Sequence, residues 1–266
     1  MYAFDYIRPT TLEQAADLVR QGAQCIAGGQ SLLPALKLRL AQPSSLVDLG
    51  SLTELQGVRE EGQSLVIGAM TRHQDVANSP VVRSKLAALA QLASGIGDRQ
   101  VRARGTLGGS VANNDPAACY PSAVLALDAT VITNRREISA GDFFQGMYST
   151  ALEPGELIVA IRFPIPEKAA YAKFRQPASR FALVGVFVAK TTHGVRVAIT
   201  GAGYGVFRHS GLEDALSANF TPEAVADVEI GTDNLGEDIH ASAAYRAHLI
   251  KVQTQRAVSM ALGKEV

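Results

Sequence analysis

Two short segments hold the residue types best suited to chemistry: Ala27-Gly28-Gly29-Gln30-Ser31-Leu32 and Thr106-Leu107-Gly108-Gly109-Ser110. Each sets adjacent glycines beside a hydroxyl or amide side chain. Glycine lets the backbone turn sharply and lets a ligand approach main-chain N–H groups closely. Successive N–H groups facing one way make an anion nest, and a helix start adds its dipole. Two such loops in one domain could clasp the two phosphates of a dinucleotide. Either loop alone reads equally as a tight turn with no ligand. The pair, with the polar run GIGDRQVRARGTLGGSVANNDP over 95–116, points to binding. A loop of that length in a compact domain is usually functional or disordered.

Other constellations are weak. No G-x-x-x-x-G-K-[ST] motif is present, and Gly201-Ala202-Gly203 lacks the third glycine of a dinucleotide fingerprint, Val206 standing there. The histidines (73, 193, 209, 240 and 248) are scattered without H-E-x-x-H spacing, and there is no G-x-S-x-G elbow. Arg99, Arg102 and Arg104 could face a phosphate, a partner or solvent. No residue presents itself as a general base. A nucleotide-binding chain without acid–base machinery suggests a redox cofactor whose own ring does the chemistry.

The elements that must position these loops follow from periodicity. Thr10-x-x-Glu13 is a capping box for a helix whose stripe is Leu12, Ala15, Ala16 and Val19. Gln24–Ala27 reads as a strand running into the first glycine loop, and 46–49 as another. Ser64–Met70 is strand-like, Thr71 could cap a short helix, and Ser79-Pro80 starts one that ends by Gly95. A helix near 121–127, a strand over 130–133 and a strand over 156–163 follow. Residues 181–190 and 195–200 read as a hairpin through Thr192-His193-Gly194. Three helices are expected after Gly205. Strands first and helices afterwards suggest an α+β unit beginning near residue 168.

Length and composition bound the rest. At roughly 150 residues per domain, 266 residues make one large or two modest domains. Lys and Arg number 25, Asp and Glu 25, a balance that argues against a general nucleic-acid binder. No apolar stretch approaches the roughly 20 residues of a membrane helix, and Met1–Arg8 lacks signal-peptide features. Two cysteines, Cys25 and Cys119, are too few for a zinc or iron–sulfur site. A soluble, cytoplasmic protein is expected.

Four stretches together carry a family resemblance: AGGQSLLPALKLRL (27–40), GTLGGSVANNDPAACYPSAVLALDA (105–129), GELIVAIRFP (155–164) and YAKFRQPASRFALVGV (171–186). The chain resembles, over essentially its whole length, the FAD-binding (medium) subunit of molybdenum hydroxylases. It is similar to that of aerobic carbon monoxide dehydrogenase and to the flavin domain of xanthine dehydrogenase. The resemblance implies a two-lobed FAD domain of the vanillyl-alcohol-oxidase type over 1–167, with lobes of about 1–53 and 54–167. A small α+β domain over 168–266, a three-stranded antiparallel sheet with a helical bundle, would follow.

Carried over residue by residue, the resemblance implies that Ala27, Gly28, Gly29, Gln30, Ser31, Leu32 and Leu33 hold the FAD diphosphate and its surroundings. Thr106, Gly108, Gly109 and Ser110 would form the second diphosphate loop. Ile96 and Ile158 align with apolar contacts to the flavin, Lys173 with a lysine near the cofactor, and Asp115 with a group reaching ribose or flavin. Two positions depart from the pattern: Cys119 stands where many relatives have an acidic residue, and Arg180 near a common Asp. The implied function is an electron-transfer subunit. Its FAD accepts electrons from [2Fe-2S] clusters of a small partner subunit and passes them to an external acceptor. A large partner subunit would hold the molybdenum cofactor and oxidise the substrate, and the three chains would form a heterotrimer dimerised to a heterohexamer. The alternative is a flavin- or nucleotide-binding sensor or assembly module without redox turnover.

Overall fold

The computed structural model describes residues 1–264. The chain folds as mixed α/β around three larger sheets, with a two-stranded hairpin of Phe144–Gly146 and Ser149–Thr150 beside them. The first is parallel: strand Ser45–Asp48 lies between Asp5–Ile7 and Gln24–Ile26, pairing Tyr6 with Leu46 and Cys25 with Val47. Helix Leu12–Arg20 buries Ala15 and Ala16 against it. Its cap is one residue later than the spacing predicts. Thr11 Oγ1 accepts the Gln14 N–H at 3.2 Å, while Gln14 Oε1 accepts the Thr10 N–H at 2.9 Å. The box is thus closed by Gln14 rather than Glu13, because Gln14 is the side chain that reaches back over the first turn.

The second sheet is antiparallel, in the order Val58–Glu61, Ser64–Gly68, Ile158–Pro164, Thr130–Thr133, Glu137–Ser139. Six helices fill the chain between Gly68 and Thr130: His73–Asn78, Pro80–Lys85, Ala87–Ser94, Arg99–Arg104, Leu107–Asn113 and Tyr120–Ala126. Their apolar faces meet Leu65, Ile67, Val131, Ile161 and Phe163 in the largest core. The polar run over 95–116 is therefore two short capped helices, not a loop. Asp98 caps the first through the Val101 N–H (2.8 Å), and Thr106 the second through the Gly109 N–H (3.2 Å). Six and seven residues are too few for hydrophobic periodicity to show. Thr71 caps nothing: its hydroxyl bonds Gly57 across a turn, and Arg72 holds the cap position.

The third sheet is antiparallel, through Lys168–Arg175, Ala182–Thr191, Gly194–Thr200 and Phe207–Arg208. It has four strands rather than the expected three, since the chain after Gly205 pairs Phe207 with Ile199 before turning into a helix. Helix Ser210–Ala218, a 3-10 turn at Pro222–Val225 and helix Ala243–Ala261 follow. The long strand shows why this sheet is apolar on both sides. Phe187 and Ala189 join the central core, while Val184, Val186 and Val188 face Ile250, Ala257 and Val258 of the last helix's cluster. Among the described residues, no helix is long and apolar enough to cross a membrane.

Candidate functional site

The fold brings the two glycine segments into contact. A Cβ on Gly28 would stand 2.6 Å from Gly105 Cα and closer still to the Arg104 carbonyl oxygen, so only glycine lets the segments touch. A Cβ on Gly109 would meet Ala27 Cβ at 3.5 Å. Ala27–Leu33 and Thr106–Ser110 therefore line one locus, as their sequence pairing suggests.

Their chemistry differs, however. In the second segment the four amides from Leu107 to Ser110 are occupied. Leu107 N–H donates to Thr71 O (3.0 Å), Gly108 N–H to Ala69 O (2.7 Å), Gly109 N–H to Thr106 Oγ1 and Ser110 N–H to Thr106 O (3.1 Å). Gly108 is a packing glycine, because its Cβ would strike Ala69 Cβ at 2.5 Å. In the first segment, the N–H groups of Gly28, Gly29, Gln30, Ser31 and Leu32 donate to no group among the described residues. Gly29 has φ +72°, the left-handed conformation that bends the strand end back, and Gln30 Nε2 clips the turn onto Gly28 O at 3.0 Å. Five successive free donors form a cradle for an anion. The sequence ascribes a nest to both loops; the structure assigns it to the first and makes the second its wall.

A second cluster gathers Gly95, Ile96, Cys119 and Lys173. Lys173 Nζ donates to Gly95 O (2.7 Å), Arg180 O (3.2 Å) and Cys119 Sγ (3.5 Å), with no carboxylate in reach. Ile96 is half-buried, its carbonyl held by Arg102 Nη1 at 2.9 Å, so Arg102 pins this segment rather than facing a ligand. Arg99 and Arg104 remain exposed. Cys119 is 5% exposed and packs in the central core beside Tyr171, whose hydroxyl is pushed up by burial and then by Cys119.

Asp115 and Ile158 make no hydrogen bond to either cluster among the described residues. Asp115 accepts the Ala117 N–H (2.8 Å) and the Tyr148 hydroxyl (3.3 Å), just past the left-handed Asn114. Ile158 is buried in the central core, one residue before Val159, whose carbonyl takes the Ala69 N–H at 2.9 Å. The seat of Gly108, Ala69 to His73, escapes sequence reasoning because it carries no motif. His73 donates its N–H to Gly105 O (2.9 Å), and burial, with the nearby Arg102 charge, lowers its imidazole to about 4. It stays neutral at physiological pH. Cys25 is likewise kept a thiol, burial raising it to about 12.

A flavin dinucleotide fits this arrangement. The donors of residues 28–32 suit a diphosphate, and the half-buried Ile96 suits a ring. Comparison with known proteins agrees. Residues 2–166 match the family described as FAD binding domain in molybdopterin dehydrogenase. The chain is 37% identical to the carbon monoxide dehydrogenase medium chain of Hydrogenophaga pseudoflava, covering 97% of this chain and 96% of that one. It is 37% identical to the nicotine 6-hydroxylase medium subunit of Paenarthrobacter nicotinovorans, covering 96% of each. Carbon monoxide dehydrogenase from H. pseudoflava superposes with a TM-score of 0.91 over 98% of both chains. Quinoline 2-oxidoreductase from Pseudomonas putida 86 does so with 0.89 at 31% identity, again over 98% of both. Matched over more than half its length by the family and along nearly all of it by these subunits, the chain belongs to the FAD-binding components of the molybdopterin dehydrogenases, a family of oxidoreductase subunits.

Proposed function

We propose that this chain holds FAD against the two glycine segments and relays electrons within a molybdenum hydroxylase. It would take them from [2Fe-2S] clusters of a small partner subunit and release them to an external acceptor. A large partner subunit with the molybdenum cofactor would oxidise the substrate. The observation that carries this reading is the run of five unpartnered N–H groups from Gly28 to Leu32, walled by a second glycine segment. FAD supplies the redox chemistry when bound, a ring that takes two electrons and returns them singly or together. The chain supplies the rest. Residues 28–32 bind the diphosphate, with Ala27 and Leu33 flanking it. Thr106, Gly108, Gly109 and Ser110 keep the wall close. Ile96, Ile158, Lys173 and Asp115 shape and orient the flavin end.

Lys173 gives that end a cation. Its three donors are spent on carbonyl and thiol acceptors, and its charge, without a carboxylate partner, would stabilise negative charge on a reduced ring through its field. We further assign residues 1–167 to the FAD-binding domain, with lobes 1–53 and 54–167, and 168–266 to the smaller domain. A parallel sheet built only from residues before 53 supports the first division. The purified chain should bind FAD, visible as flavin absorbance that stays with the protein through gel filtration. Co-expressed with iron–sulfur and molybdenum subunits, it should elute with them as a heterotrimer or its dimer. Absence of flavin after reconstitution would refute the cofactor, and elution alone beside loaded, folded partners would refute the assembly.

A further inference from the structure

A cavity of about 380 Å³ opens where four segments converge: 115–117, 147–148, 176–183 and 201–204, closed by 236–246. Its rim is aromatic, with Tyr148, Phe181 and Tyr204 59%, 48% and 63% exposed. Scattered exposed apolar side chains need no explanation, but three aromatics around one concavity do.

The walls are built, not incidental. Of the five non-glycine residues with positive φ among the described residues, Tyr148 (+55°) lines this cavity, and Asn114 (+42°) and Arg180 (+62°) each adjoin a lining residue. Backbone held in that region costs about 1–3 kcal/mol per residue and persists where the surroundings enforce it. Each is enforced here. Asn114 is buried, and its Nδ2 donates to Gly146 O (2.7 Å) and Ser149 O (2.8 Å), clamping the hairpin tip that bears Tyr148. Arg180 N–H donates to Gln176 O, and its carbonyl accepts from Lys173 Nζ, tying the Phe181 loop to the flavin end. Arg246 anchors the floor through Leu183 O (2.9 Å), Gly201 O (2.8 Å) and Asp238 Oδ2 (2.7 Å). Its side chain is 5% exposed and its Nε lacks a partner.

The charge of the lining is one-sided. Asp115, Glu237 and Asp238 face a single guanidinium, already paired with Asp238. We propose that this cavity binds a planar aromatic electron acceptor that is neutral or cationic, and that its carboxylates turn away anionic dinucleotides. The inference rests on the FAD reading above and names the chemical class of the acceptor. Tyr148, Phe181 and Tyr204 give stacking faces, and Gln176 and Ser179 give polar contacts at one edge. Two negative phosphates would meet Asp115 and Glu237, and among the described residues the lining offers only Arg246, already paired with Asp238, and the exposed His240.

The test uses the oxidised, FAD-loaded full chain and three probes in equilibrium titrations. They are duroquinone (neutral, its ring fully methylated against thiol addition), methylene blue (cationic) and NAD+. Duroquinone and methylene blue should each bind once per chain with the flavin retained, and NAD+ at least about tenfold more weakly. Tyr204→Ala should weaken the first two about fivefold, the worth of one aromatic contact. Glu237→Lys should weaken methylene blue and leave duroquinone unchanged. Both side chains are exposed, so both variants should fold. NAD+ binding as tightly as duroquinone, or Tyr204→Ala without effect on either probe, would overturn the proposal. Displacement of FAD by a probe would also overturn it, by showing that the cavity seats the flavin ring itself. The cofactor reading fails separately, by absence of flavin before any probe is added.

Discussion

Replacing Gly28 with Ala tests whether the contact between the two glycine segments is what makes the cradle. Gly28 lacks a positive φ, so alanine fits the local backbone and the whole effect is steric. The new Cβ would lie 2.6 Å from Gly105 Cα, where carbon atoms rest at about 3.5–4.0 Å. The obstacle is main chain on the far side, which has no rotamer to turn away. The segments must part by about 1 Å, and overpacking of this kind costs about 1–3 kcal/mol. If the strain is relieved by opening the cradle, FAD affinity falls about 5–150-fold at one decade per 1.4 kcal/mol. Quenching of FAD fluorescence measures that affinity, and thermal unfolding without FAD reports the protein's own share. Gly231→Ala is the control, since its Cβ meets nothing within 4 Å. It should match the parent in both assays. Gly28→Ala binding FAD within twofold of the parent would mean that the contact does not form the cradle.

Three further outcomes are expected. Cys119→Asp should place a carboxylate beside Lys173 and hold melting temperature within about 3 °C of the parent. Adding Lys173→Met should then cost about 3–5 kcal/mol, because an unpaired charge stays buried, whereas Lys173→Met alone costs far less. Glu156 is buried and held down to about 2, chiefly by hydrogen bonds from Arg136, with the Glu153 N–H and Thr133 hydroxyl helping against desolvation. A depressed carboxyl stabilises the fold above its unfolded value and loses this as pH falls through its folded one. Glu156→Gln should therefore melt several degrees lower at pH 7, and the gap should close between pH 4.5 and about 2. Asn114→Ala leaves Gly146 O and Ser149 O without their donor and should cost about 2–3 kcal/mol. Hydrogen exchange should rise in the 144–150 hairpin first, and Asn114→Gly should restore none of the lost bonds.

The sequence carried the glycine pair, the strands that lead to it and the family pattern, because these are local signals. It did not show which loop keeps its N–H groups free. That depends on Ala69 and Thr71, nearly forty residues before the second loop, supplying carbonyls at the right height. Helices Arg99–Arg104 and Leu107–Asn113 were hidden by their shortness, and their caps, Asp98 and Thr106, read as ordinary loop residues. Cys119 looked like an isolated departure until the fold set it beside Lys173 and Tyr171, more than fifty residues on. Tyr148 and Arg180 could not be found at all, since positive φ at such residues has no compositional mark, and Asn114 carries only the general bias of Asn toward that conformation.

The long strand Ala182–Thr191 belongs to two cores at once, Phe187 and Ala189 on one side, Val184, Val186 and Val188 on the other. A sheet buried on both faces has no dry surface left to slide on. The C-terminal third therefore moves with the layer beneath it as one block, and a chain cut near residue 168 would bare an apolar floor that invites aggregation.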